Sequence, residues 1–99
     1  MIEFIKEYGI TTIDYEYIVH NLSRDIVQNI ALSENTVREI LDFYNDLGIT
    51  KTLGNIIIKR PDLILTSKDN LIDTISKIDL EVFKKVVEKS VDDLILLGI

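Results

Sequence analysis

The sequence predicts a mainly α-helical fold: a compact bundle of four to five helices in one domain spanning residues 1–99. Three observations carry this expectation. Apolar residues recur at three- and four-residue intervals along most of the chain. Short polar residues suited to helix capping precede these stripes, and glycines follow several of them. No linker or low-complexity stretch divides the 99 residues, and 46% of them are apolar, enough to build a core without disulfides.

Residues 2 to 8 suit a short helix with Ile2, Ile5 and Tyr8 on one side, stopped by Gly9. Thr11 or Thr12 caps the next helix, with Asp14 and Glu16 in its first turn, where the helix dipole favours acids. Ile18, Leu22, Ile26 and Ile30 then repeat every four residues, and Ser23 is placed to split the stripe in two. Ser33 suits the N-cap of a helix carrying Val37, Ile40, Leu41, Tyr44 and Leu47, which Gly48 ends. Ser67 caps a helix built on Leu71, Ile72, Ile75 and Ile78. Asp79 caps the last helix, whose stripe is Leu80, Phe83, Val87, Val91 and Leu94, with Glu81 and Lys85 as a supporting pair. Gly-Ile recurs at residues 9, 48 and 98, but at unequal intervals, so any repeat is degenerate.

Residues 49 to 66 admit two readings. Ile56-Ile57-Ile58 and Leu63-Ile64-Leu65 flank Lys59-Arg60-Pro61-Asp62, a pattern that fits one short β-hairpin near 55–66, with Pro61 in the turn. The other reading is a short helix carrying Leu53, Ile56 and Ile57, stopped before Pro61 because a pre-proline residue avoids the helical region. Three consecutive isoleucines tilt the expectation slightly toward strand.

The net charge of −6 lies wholly in the first half of the chain. Residues 1 to 50 hold three basic side chains (Lys6, Arg24, Arg38) against nine acids, whereas residues 51 to 99 hold eight of each. Nucleic-acid binding depends on Lys and Arg displacing counterions from phosphate, so this balance disfavours it. Met1-Ile2-Glu3-Phe4-Ile5-Lys6-Glu7 lacks the basic start and apolar stretch of a signal peptide. Apolar runs such as Leu94 to Leu97 fall far short of the roughly 20 residues that span a bilayer. An intracellular protein that does not enter membranes is expected, and Asn21-Leu22-Ser23 is then no glycosylation site.

Residues 23 to 47 resemble a helix-turn-helix of the bacterial and archaeal repressor type. Ile26 and Val27 fall inside the first helix, Ala31-Leu32-Ser33 make the turn, and Val37 and Ile40 anchor the second helix. Leu47-Gly48-Ile49 is similar to the exit of winged versions. The resemblance implies a DNA-binding transcriptional regulator, with Asn35 and Arg38 at DNA and Lys51, Lys59 and Arg60 contributed by a wing. The chain departs from the pattern at Val27, where the family has Ala, and at Ala31, where it favours Gly. The outward positions Glu34, Asn35, Arg38, Glu39, Asp42, Asn45 and Asp46 offer one cation against four acids.

Residues 47 to 71 resemble one repeat of the mitochondrial transcription termination factor family, through Leu47-Gly48-Ile49, Ile56-Ile57, Arg60-Pro61-Asp62-Leu63-Ile64 and Leu71. That family stacks many repeats along a basic groove, and this chain is acidic with room for two or three. Eighteen isoleucines, one alanine, no cysteine and no tryptophan give the whole chain a character similar to small orphan proteins of filamentous viruses infecting hot-spring archaea. That resemblance implies a thermostable viral protein in the host cytoplasm, and the composition also fits an A+T-rich genome.

Catalytic chemistry finds little to work with. His20 is the only histidine, with no nucleophile at a suggestive spacing, and the four glycines are too isolated to cradle phosphate. Glu39, Asp42 and Asp46 share one helical face and could chelate Mg²⁺ or Ca²⁺, although a solvated acidic face accounts for the same spacing. No enzyme activity, cofactor or metal is therefore expected. The expected role is non-catalytic protein interaction, as a homodimer or docked on a host or viral partner. Its expected face comprises Glu39, Asp42 and Asp46 together with the apolar chain end at Leu96 and Ile99.

Overall fold

Local chemistry sets where most helices begin. The computed structural model describes all 99 residues as six α-helices and three 3-10 segments. In chain order these are a first 3-10 segment (Glu3–Tyr8), α1 (Thr12–Asn21), α2 (Arg24–Leu32), α3 (Glu34–Asp46), α4 (Leu53–Lys59), a second 3-10 segment (Pro61–Leu63), α5 (Lys68–Ser76), α6 (Leu80–Lys89) and a third 3-10 segment (Val91–Leu97). Thr11 Oγ1 accepts from the Asp14 amide at 3.1 Å, and Ser23 Oγ from the Ile26 amide at 3.2 Å. Ser67 does the same for Asn70 at 3.1 Å, while Asp79 accepts from Glu81 and Val82 at 2.8 and 3.3 Å. Each bond satisfies an amide that the helix itself leaves without a partner. Ser33 differs: it closes α2 and opens α3 without any side-chain cap bond. The turn between those helices is this one residue, and Ala31 and Leu32 belong to α2.

The recurring Gly-Ile pair is a stop signal. Gly48 sits at φ +82° after α3 and donates to the Asn45 carbonyl at 2.9 Å, while Ile49 donates to Tyr44 at 2.9 Å. This pair of hydrogen bonds closes the helix and turns Ile49 into the core. Gly98 and Ile99 repeat the arrangement, donating to Ile95 and Leu94.

The 3-10 segments answer a three-residue period. Side chains at i and i+3 eclipse in that geometry, so Ile2, Ile5 and Tyr8 all face inward, as do Val91, Leu94 and Leu97. The last helix is therefore shorter than the sequence stripe suggests. It ends at Lys89, Ser90 is extended (φ −164°), and the chain restarts on the tighter period.

The expected β-hairpin near 55–66 does not form; the region is α4 followed by the second 3-10 segment. Leu53, Ile56 and Ile57 occupy one face of α4 and are fully buried. Burying one such side chain stabilises by about 1.5–3 kcal/mol, which outweighs a strand preference spanning about 1 kcal/mol in total. A lone two-stranded hairpin is also marginal in water, and this chain has no third strand to pair with it. Arg60 takes φ −138°, ψ 64°, outside the helical region as its pre-proline position requires, and Pro61 opens the next turn.

Pairwise packing closes into a ring: α3 on the first 3-10 segment, that segment on α1, α1 on α4, α4 on the third 3-10 segment, then α6, α5 and back to α3. Inside lies one core of 23 buried residues, in which Tyr44 and Phe83 are the largest fully buried side chains. The Tyr44 hydroxyl donates to the Leu63 carbonyl at 3.0 Å, so the one polar atom of this ring is satisfied. The second helix hangs outside, held by α3 and contributing only Ile30 to the fully buried set. The radius of gyration, 12.7 Å, is close to the roughly 13 Å of a compact 100-residue domain.

Candidate interaction surface

The candidate DNA-contacting cations are largely committed to other parts of the chain. Arg38 on α3 donates to Glu34 Oε2 at 2.9 Å and to Glu7 Oε2 at 3.0 Å, and its guanidinium stacks over the Phe4 ring at 5.0 Å. These acceptors hold its pKa above even the ordinary arginine value, Glu7 contributing most. The side chain pins the first 3-10 segment to α3 instead of projecting from it. Lys59 pairs with Asp92 at 2.7 Å. Arg60 makes two 3.0 Å bonds to Asp62 and a third, at 2.7 Å, to the Ile99 carbonyl. With α4 in place of a hairpin, Lys51, Lys59 and Arg60 do not sit on a wing. Asn35 and Lys51 are exposed and outside every ion pair.

The expected interaction face separates into two places. Glu39, Asp42 and Asp46 are all exposed on the outer side of α3, and none takes part in an ion pair. Leu96 is 80% exposed and Ile95 71%, because the three-residue period that buries Leu94 and Leu97 turns them outward. Ile99 instead packs against the core. These apolar groups ride on a segment packed on α6 and α4, whereas α3 packs on α2, α5 and the first 3-10 segment. No group of three His, Cys, Asp or Glu side chains is placed to hold a metal ion. His20 is exposed and pairs with Glu16 at 3.1 Å, one turn away on the same helix.

The surface concavities differ in chemistry. One of about 370 Å³ is formed by residues 48–52 with Glu88, and one of about 400 Å³ by residues 32–36; each has a single hydrophobic side chain in its lining. The one lined almost wholly by apolar side chains is a groove of about 210 Å³ between α3 and the α5–α6 turn. Phe43, Ile72, Ile75, Ile78 and Leu80 line it, with Ser76 the single polar member. Ile72 and Leu80 remain 40% and 42% exposed.

The sequence reading missed this groove by assigning Ile72, Ile78 and Leu80 to core stripes. A signal was present. Leu71 and Ile75 share the buried face of α5, and Ile72, about 100° round the helix from Leu71, falls at the edge of that face and stays partly uncovered. Glu39 and Asp46 lie one turn either side of Phe43 on α3, which places the unpaired acids beside the groove. On α5, Asp69 lies one turn before Ile72, and Asp73 follows it directly on the outward side of the helix.

No helix of the protein is long and apolar enough to cross a membrane. Comparison with protein-family models, curated proteins and solved structures finds no match to this chain.

Proposed function

We propose that this chain is a non-catalytic interaction protein that docks onto another protein chain. The carrying observation is the open apolar groove of Phe43, Ile72, Ile75, Ile78 and Leu80, with the unpaired carboxylates of Glu39, Asp42 and Asp46 exposed on the helix that carries Phe43. Large aliphatic groups left in water next to a charged rim are the pattern of a surface that gains by being covered. The exposed Ile95 and Leu96 offer a second, smaller apolar contact.

DNA binding through α2 and α3 is the alternative reading, favoured by the packing of these two helices at residues 23 to 47. Against it stand the intramolecular engagement of Arg38, Lys59 and Arg60 and the acidic outer face of α3. Light scattering coupled to gel filtration separates the two, run with and without a pool of random duplexes of about 30 base pairs at low salt, where phosphate contacts are strongest. The interaction reading expects an elution and mass that ignore DNA. A salt-sensitive shift onto the duplex overturns it.

A further inference from the structure

We infer that the groove between α3 and the α5–α6 turn receives the apolar face of a basic amphipathic helix from a partner protein. This inference rests on the interaction reading above and names the site and the chemistry of its occupant.

Size and lining decide what kind of group fits. At about 210 Å³ and open to solvent, the groove is smaller than the roughly 300–1,000 Å³ sites that enclose small molecules. Its walls are Phe43 on one side and Ile72, Ile75, Ile78 and Leu80 on the other, with no cation and no buried polar group to orient a ligand. That is a seat for one or two aliphatic or aromatic side chains. A helix laid in such a groove presents anchors at i, i+3 or i+4 and i+7, and its flanks lie over the rim.

The rim sets the charge of the flanks. Glu39 and Asp46, one turn either side of Phe43, and Asp42, further round α3, are exposed without an internal partner; Asp69 is exposed on α5, as is Asp73, which pairs with Lys77. The cations nearby are fewer. Lys77 reaches back to Asp73 at 3.8 Å, Lys68 stands at the start of α5, and the Lys84 ammonium lies against Gly48 at the end of α3. A cationic helix is attracted to this acidic side, and its Lys or Arg side chains can reach the carboxylates of Glu39 and Asp46, which nothing in this chain neutralises. A second copy on the same face is disfavoured. A two-fold contact would set Glu39, Asp42 and Asp46 against a second acidic rim in a chain of net charge −6.

The test uses the full chain and two labelled peptides of about 16 residues with leucines at helical spacing, one flanked by lysines and the other by glutamates. Fluorescence anisotropy reads affinity, and amide chemical shifts read the site. The lysine peptide is expected to bind at least about tenfold more tightly than the glutamate peptide. Its shifts are expected to centre on Phe43, Ile72, Ile78 and Leu80.

Ile72→Asp separates the groove from simple charge attraction. It makes the rim more acidic, so nonspecific attraction predicts tighter binding, whereas a filled apolar seat predicts a loss of about tenfold or more. Leu80→Asp serves the same purpose if Ile72→Asp fails to fold by circular dichroism. The inference is overturned by equal binding of the two peptides, by wild-type affinity in both groove variants, by shifts centred on Leu32 or Ile95 and Leu96, or by no binding at all. Shifts on another apolar patch would leave the interaction reading standing while removing this groove from it. A DNA-bound species in light scattering would remove the reading itself.

Discussion

Helices α3 and α4 each bury four residues, but α3 does so in 13 residues and α4 in seven. The longer helix keeps half its circumference in water, and that half carries Glu39, Asp42 and Asp46. The shorter one is enclosed by α1 and the second and third 3-10 segments and has little surface left to offer. Even its glycine is structural: a methyl group on Gly54 would collide with the Asp14 carboxylate and lie 2.9 Å from Asp14 Cβ. Burial per residue separates the two roles. Helix α4 holds the ring closed, whereas α3 holds the ring with one face and meets the outside with the other.

That contrast can be broken most directly in α4. Ile57→Ala is expected to cost about 2–5 kcal/mol of unfolding free energy in denaturant titration, because a fully buried isoleucine leaves a cavity the ring cannot easily collapse. A cost under about 0.5 kcal/mol, the scale of a surface substitution, would show that α4 is peripheral. Gly54→Ala is expected to cost about 1–3 kcal/mol through overpacking against Asp14. Adding Asp14→Ala should return part of that loss, and strict additivity of the two would remove the collision as its cause.

On the inner face of α3, Tyr44→Phe leaves the Leu63 carbonyl without its donor and is expected to cost about 1–2 kcal/mol near neutral pH. Burial also pushes the Tyr44 phenol well above the ordinary tyrosine value of about 10. The unfolded chain then ionises first, so stability present below about pH 10 declines as pH rises through the folded value. Tyr15, raised mainly by burial, acts in the same direction. Tyr44→Phe should flatten this alkaline slope, measured as melting temperature against pH.

Outside the core, Arg38→Ala should speed amide hydrogen exchange in residues 3–8 by releasing Glu7 from α3, with little change elsewhere. The smallest effect is expected on the outer face. Glu39→Lys should alter stability by no more than about 0.5 kcal/mol while weakening a cationic ligand at the groove. A large loss of stability there would mean that α3 has no free face.

Much of the fold was legible because its signals are local. Thr11, Ser23, Ser67 and Asp79 cap where their side chains can reach an amide two or three residues ahead, and the Gly-Ile stops need only a positive φ. The candidate site was legible in part. The acidic face of α3 follows from spacing alone, but the groove beside it depends on how far α5 and α6 cover Ile72 and Leu80. Of the partners of Arg38, Glu34 lies one turn away and follows from spacing, whereas Glu7 lies 31 residues away in the chain and was out of reach for the same reason.

The sequence by itself determined a helical protein, the starts and stops of most helices, and an acidic first half, because these follow from backbone capping, apolar spacing and composition. The tertiary structure alone decided that residues 53–59 become a buried helix and not a strand. It also decided that the last stripe breaks at Ser90, and that Ile72, Leu80, Ile95 and Leu96 stay in water. In each case the local preferences are worth a kilocalorie per mole or less, and burial against distant segments is worth several times that.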